Sequence, residues 1–462
     1  MKKDRNNVKE IQKGNLPLLN SAEIFIIAHI FRIMQTIDLA MAAKKASIAL
    51  AALSTEKKNA ALDAVAKALV EHKNEIIAAN QKDLERSEGE NLAAPLLKRL
   101  KFDEGKINDV VAGIQSLIGL PDPIGETLAA TELDKDLELY KVSCPIGVIG
   151  VIFESRPDAL VQISSLCLKS GNATLMKGGR EALETNRILA KVIREASEKA
   201  GVPSGWIQLL ETRENVNEML KLDNYIDLII PRGSNAFVQY IMNNSNIAVM
   251  GHADGICHTY IDKDADIDMA IKVAVDAKTQ YVSVCNATET ILIHNDIAQS
   301  LLPKLADELV KRNVEIYGCE KTQKIISCEP AIDWKSEWLD YKVSIKIVSS
   351  LDEAIEHINT YSSRHTEAII TKNEQAAEKF LNLVDSADVF WNCSTRFADG
   401  FRYGLGAEVG ISTNKLHARG PVGLEGLTIY KWKLKGNGQI VADYVSGKSK
   451  FTHKRLDKKF SI

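Results

Sequence analysis

Cys285 lies in the run Tyr281-Val-Ser-Val-Cys-Asn-Ala-Thr-Glu289, after an amphipathic helical pattern and before the apolar strand pattern Thr290–His294. A free cysteine is often just a small buried hydrophobe. A thiolate, however, is the best side-chain nucleophile near neutral pH once its pKa is lowered. A helix-to-strand turn downstream of a nucleotide-binding pattern marks Cys285 for covalent chemistry. Met250-Gly-His-Ala-Asp-Gly-Ile-Cys-His258 lies upstream. Its adjacent Cys257 and His258 cannot serve one another, because neighbours on a strand face opposite ways; Cys257 reads as structural. Cys393, in Trp391-Asn-Cys-Ser-Thr395, is a pocket residue and not the nucleophile.

Two turns carry the nucleotide pattern. Lys177-Gly-Gly-Arg180 follows an apolar strand. Lys177 and Arg180 suit a ribose and its phosphate, and Gly179 lets the backbone approach closely. Arg180 is placed to fork onto a 2′-phosphate, which selects NADPH over NADH. Pro231-Arg-Gly-Ser234 ends another strand and opens a helix, so amides near Arg232, Gly233 and Ser234 can hold a pyrophosphate. Each string is weak alone, since most such strings are solvated loops and no G-x-G-x-x-G is present. Together, on successive strands, they carry more weight.

The elements that position these residues are legible as patterns. From Met41 to about Leu120, leucine and isoleucine recur at helical spacing in Ala-rich charged segments. Strands are predicted at Leu137–Val142, Pro145–Phe153, Thr174–Lys177, Trp206–Leu210 and Ile226–Ile230, with helices at 159–170, 182–199 and after Gly233. This alternation predicts a doubly wound, mainly parallel sheet with ligands at the carboxyl ends of its strands. A second α/β unit starts near Ile256, with helices at 266–278, 297–312 and 376–384 and a strand at Ser344–Val348. Leu427–Lys433 is an alternating strand, and the last fifteen or so residues read as a solvated basic tail.

Composition narrows the function. A chain of 462 residues with net charge -3 gives no electrostatic case for nucleic acid or an anionic membrane. Seven scattered cysteines without C-x-x-C spacing fit neither a disulfide framework nor a structural zinc site, and favour the cytoplasm. Ile24–Ile33 is too short to span a bilayer, and His29 and Arg32 break it. An extra helix, or a start at Met34 or Met41, is preferred to a secretory signal.

Six strings resemble the γ-glutamyl phosphate reductase family of the aldehyde dehydrogenase superfamily. They are Pro145–Pro157, Gly251–His258, Val284–Ala287, Ser394–Phe401, Gly404–Ser412 and His417–Gly426, within a match from about Met41 to Gln439. The resemblance implies an aldehyde-dehydrogenase-like fold, with two doubly wound α/β domains and a small β oligomerisation arm. It divides the chain into an extension (1–40, helical or disordered), an NADPH-binding domain (41–256, with 127–145 in the arm), a catalytic domain (257–411), a return segment (412–445) and the tail (446–462). It makes Cys285 the nucleophile with Asn286 beside it, and puts Ser155 in the place of an oxyanion asparagine. Lys177 and Arg180 fall at the adenosine ribose, Gly233 and Ser234 at the pyrophosphate, and Glu337 at the nicotinamide ribose.

Members that release free acids carry a water-activating glutamate about where Gly251 stands. Its absence here implies a thioester that survives for hydride or phosphate. The implied reaction is NADPH-dependent reduction of L-glutamyl 5-phosphate to glutamate 5-semialdehyde, the second step of proline biosynthesis. Arg156 and Arg396 are candidates for the phosphate, and Ser394 and Thr395 for the amino-acid end. No metal is implied. The expected assembly is a homodimer or homotetramer, with the substrate supplied by a separate glutamate 5-kinase. The alternatives are another acylating or hydrolytic aldehyde dehydrogenase, or a catalytically silent relative that only binds.

Overall fold

A computed structural model describes residues 21–211, 214–415 and 418–461. The Ala-rich segments form the helices Ser21–Leu50, Thr55–Glu71, Lys73–Gly89 and Glu104–Gly119. Ser54 and Asp103 cap two of them by accepting the amides of Lys57 and Lys106. Their apolar stripes, Leu62, Val65 and Leu69 on one and Ile107, Val110 and Ile114 on another, enter one core. The boundary expected at residue 40 falls inside the first helix. Thr36, Ala40 and Ala43 are buried, and Thr36 Oγ1 donates to Glu218 at 2.7 Å. Residues 1–20 of the expected extension lie outside the described residues.

The hairpin β1 (Thr127–Asp134) and β2 (Leu137–Pro145) precedes four strands: β3 (Val148–Phe153), β4 (Ala173–Lys177), β5 (Ile207–Leu210) and β6 (Leu228–Arg232). These four form a parallel sheet in the order β5-β4-β3-β6. Strand β3 is buried along its whole length, as expected for a strand covered by helices on both faces. The first core joins this sheet to the helices.

The second unit is a seven-stranded parallel sheet. It contains β7 (Cys257–Ile261), β8 (Thr288–His294), β9 (Glu315–Gly318), β10 (Glu329–Pro330), β11 (Lys342–Val348), β12 (Thr366–Ile370) and β13 (Asp388–Trp391), in the order β10-β9-β11-β8-β7-β12-β13. Apolar clusters around Leu301 and Leu305 and around Tyr260 and Phe380 pack on it. The hairpin β14 (Gly410–Ser412) and β15 (Gly420–Val422) leads back, with Val409, Val422 and Leu427 entering the first core.

Strand β16 (Thr428–Lys435) pairs antiparallel with β2 to build the arm, and leaves Tyr430, Trp432 and Leu434 largely exposed. The tail corrects its expectation of free solvation. Residues Lys454–Leu456 form β17, paired with β1, and Phe460 packs edge-on against Tyr140 with ring centroids 5.3 Å apart. Apolar Leu456 and Phe460, carried among the lysines, make the difference. Among the described residues no helix is long and apolar enough to cross a membrane.

At the central strand of the second sheet, Lys278 Nζ contacts Glu289 Oε2 at 2.6 Å, with both side chains wholly buried. Burial pushes Glu289 up to about 7 and Lys278 down, so each charge depends on the other. Glu289→Ala should therefore cost about 3–5 kcal/mol, whereas Lys278→Met with Glu289→Leu should recover most of that loss. Denaturant unfolding of the three chains checks both outcomes.

Candidate active site

Strand β3 lies between β4 and β6, so the sheet switches direction there, and the crevice for a ligand opens at the carboxyl ends of these strands. Lys177 ends β4, Ser155 and Arg156 follow β3, and Arg232 ends β6. A backbone bond from Glu154 N to Arg232 O (3.0 Å) keeps two of these turns adjacent.

The Lys177 turn is fixed from outside. Buried Asp83 accepts the amide and hydroxyl of Thr185 at 2.8 and 2.7 Å, and so caps the helix Leu183–Lys199, which has no cap of its own. Arg86 bonds Asp83 and also donates to the carbonyls of Arg180 and Glu181 at 3.0 Å. Side chains at Gly178 or Gly179 would strike Asn186 or Glu181. Lys177 Nζ donates to Gly178 O.

Three expected contacts on this side already have protein partners. Arg180 is exposed and paired with Glu90 at 2.6 Å; a surface pair of this kind is worth little and opens readily. The Ser234 amide, at the start of the helix Asn235–Asn244, donates to Glu154 Oε2 at 3.0 Å. That carboxylate sits where the helix terminus favours an anion, so a pyrophosphate oxygen fits once Glu154 turns aside. Ser155, with φ at +43°, donates its amide and hydroxyl to Glu181 at 2.6 and 2.7 Å, which occupies the hydroxyl expected to stabilise an oxyanion.

Cys285 precedes β8, Gly255 precedes β7, Glu337 precedes β11 and His365 precedes β12. These four adjacent parallel strands bring the residues together at their amino ends. Gly255 is packed so tightly that a Cβ would strike the Cys285 backbone. Glu337 accepts from Gly255 N at 2.8 Å and from Asn235 Nδ2, and so bridges the two units. Cys257 Sγ donates to the Cys285 carbonyl at 3.1 Å, a structural role as expected.

Asn286, Ser394, Thr395 and Arg396 come together beneath the nucleophile. Asn286 Nδ2 donates to Ala398 O at 2.8 Å, and its Oδ1 accepts from Arg396. Arg396 also donates to Gln280 at 2.9 Å, and Ser394 Oγ accepts the Arg396 amide. Thr395 is fully buried and donates to the Asn286 carbonyl at 2.7 Å. In this conformation Thr395 and Arg396 hold the Cys285–Asn286 turn and do not line an open pocket.

The sequence reading missed His365. Its Nε2 lies 3.1 Å from Cys285 Sγ, and its Nδ1 is 2.8 Å from Thr366 Oγ1. His252 stacks edge-on against it, 4.9 Å between centroids, with Nδ1 3.0 Å from Ile411 O. Only the Gly251–His258 string flagged His252, and nothing local flags a histidine about 80 residues beyond the thiol.

Burial pushes the Cys285 thiol up to about 12, and Glu337 adds to this while Arg232 opposes it. Burial also holds His365 well below the usual imidazole range. With its own proton on Nδ1, where Thr366 Oγ1 can accept it, the imidazole can receive the thiol proton at Nε2 as the sulfur attacks. Across the cleft stand two guanidiniums. Arg232 fits because Gly410 has no Cβ, which would sit 2.5 Å from its Nη1. Arg156 is half-buried; desolvation first, and then Arg232, disfavour its charge. Among the described residues neither arginine forms an ion pair. An anion between them would relieve both.

Known proteins resemble this chain in sequence and fold. The aldehyde dehydrogenase family model matches residues 26–323. A gamma-glutamyl phosphate reductase of Acetivibrio thermocellus is 65% identical over 431 residues, 93% of this chain and 100% of the relative. One from Methanosarcina acetivorans is 52% identical over 434 residues, 91% of this chain and 97% of the relative. The crystal structure of gamma-glutamyl phosphate reductase from Thermotoga maritima superposes with a TM-score of 0.86 at 39% identity, covering 88% of this chain and 99% of that one. The chain belongs to the aldehyde dehydrogenase family and, within it, to the gamma-glutamyl phosphate reductases.

Proposed function

We propose that the protein reduces L-glutamyl 5-phosphate to L-glutamate 5-semialdehyde and phosphate with NADPH, through a thioester on Cys285, as the second step of proline biosynthesis. The observation that carries this reading is the half-buried Cys285 in contact with His365 and near the unneutralised Arg232, with glycine at position 251. The high identity to relatives bearing the reductase name supports it.

Cys285 Sγ attacks the acyl carbon while its proton passes to His365 Nε2, and the carbon–oxygen bond to phosphate breaks. Arg156 and Arg232 hold the departing phosphate, and the Cys285 backbone amide faces the developing oxyanion. Lys177, Gly179, Arg180, Gly233, Ser234 and Glu337 are the residues that would hold NADPH, which when bound supplies the hydride that reduces the acyl group. The carbon–sulfur bond then breaks as the aldehyde carbonyl forms, and His365 returns its proton to the Cys285 sulfur. Both Glu337 oxygens accept hydrogen bonds, so no free carboxylate activates water there. Asn286, Thr395 and Arg396 keep the turn rigid, Ser394 flanks it, and Ser155 would add an oxyanion donor once released from Glu181.

The domain roles follow: residues 41–256 for the cofactor, 257–411 for the chemistry, 412–445 as the return. The exposed apolar β16 edge is read as a homodimer or homotetramer surface, and a separate glutamate 5-kinase in the cytoplasm as the source of the acyl phosphate.

Run in reverse, the purified protein should reduce NADP+ with glutamate 5-semialdehyde only when inorganic phosphate is present, and Cys285→Ala should fall to background. Turnover without phosphate would mean that water takes the acyl group, and would favour a hydrolytic relative. In the same assay Arg156→Ala and Arg232→Ala should each lower kcat/KM for phosphate about 10²-fold, with semialdehyde KM little changed. His365→Ala should slow iodoacetamide capture of Cys285 and the acylation rate together, about 10²-fold. An unchanged alkylation rate would remove His365 from the proton path.

A further inference from the structure

Thioester chemistry needs one base beside Cys285, yet two imidazoles converge on it. One donor atom from each of His252, Cys285 and His365 lies within 4.8 Å of the others. The Ile411 carbonyl can only accept, so the 3.0 Å contact puts the His252 proton on Nδ1 and leaves Nε2 as a lone pair. Thr366 Oγ1 allows His365 the same tautomer, with its Nε2 already 3.1 Å from Sγ. Histidines whose Nδ1–H is held by an oxygen while Nε2 faces inward have the form of metal ligands with their outer partners in place.

We propose that the resting enzyme takes up one zinc ion at His252, Cys285 and His365, and that the ion reversibly locks the nucleophile. This rests on the reading of Cys285 as the nucleophile. Zinc takes nitrogen ligands at about 2.0–2.1 Å and sulfur at about 2.3 Å in a tetrahedron. That geometry needs donor separations near 3.5 Å, within about an ångström of side-chain rotation from those here. Two imidazoles and a thiolate suit zinc and exclude magnesium and calcium, which want oxygen. On binding, the S–H bond breaks, its proton leaves to buffer and an S–Zn bond forms without change of oxidation state. The fourth position stays open. While zinc is held, the sulfur lone pair cannot attack an acyl carbon, and a chelator restores it.

The test uses the full chain stripped with a chelator. Zinc titrated against a chromophoric chelator should show one ion per chain and should protect Cys285 from maleimide. Cobalt in its place should give a thiolate-to-metal charge-transfer band. Cys285→Ser should abolish the band, and His252→Ala and His365→Ala should each weaken zinc by at least about tenfold, with Cys319→Ser unchanged. A folded wild-type chain that binds zinc without the thiolate band, or three variants that bind as the wild type does, would overturn the site. The wild-type cobalt spectrum decides even if a variant fails to fold. Phosphate-dependent activity of the zinc-free enzyme separates the two ideas. Activity that excess zinc leaves untouched sinks the lock alone, and zinc binding by a chain inactive on the semialdehyde sinks the substrate assignment alone.

Discussion

The contact on which the cleft depends is the packing of Gly255 against Cys285. Any side chain at 255 would overlap the nucleophile's own backbone, so the amino end of β7 and the turn before β8 lie as close as two chains can. From that contact the other positions follow. The Gly255 amide binds Glu337, Glu337 reaches across to Asn235, and Cys257 ties the Cys285 carbonyl from below. A turn held at its carbonyl and packed along its flank has little freedom, and a reacting group misplaced by about 1 Å loses much of its rate.

Rigidity has an electrostatic cost. Burial at this turn pushes the Cys285 thiol up to about 12, which favours the protonated sulfur. In the proposed chemistry the imidazole in contact takes the proton, and Arg232 of the opposite unit favours the thiolate. Neither half is sufficient. The second sheet carries the thiol and the imidazole, while the first carries the Arg232 guanidinium.

Much of this was legible as pattern. The strand and helix runs of the first unit, Lys177-Gly-Gly-Arg180, Pro231-Arg-Gly-Ser234 and the turn carrying Cys285 are local, and local periodicity encodes them. Three things were not local. His365 reaches Cys285 because β12 and β8 flank β7, a sheet order that spacing does not reveal. Thr395 and Arg396 read as polar groups free for substrate, but they are buried in service of Asn286. The tail read as solvated because its charges outnumber Leu456 and Phe460, the two residues that dock it on the arm.

The return segment shows why the chain crosses between units twice. The segment around Val249–His252 leaves the first sheet beside β6, where Val249 bridges Ile229. It is gripped there by residues that arrive some 160 positions later. Asn414 Nδ2 donates to Val249 O at 2.6 Å, and Ile411 O accepts from His252. Gly410, on the same hairpin, makes room for Arg232. One short hairpin therefore holds the His252 imidazole and leaves room for the Arg232 guanidinium. Closing a loop of that length costs only logarithmically more than a short one, while the strand order within each sheet stays free to hold Cys285 and the cofactor turns. A single late connection can thus set the spacing across the cleft without disturbing either core.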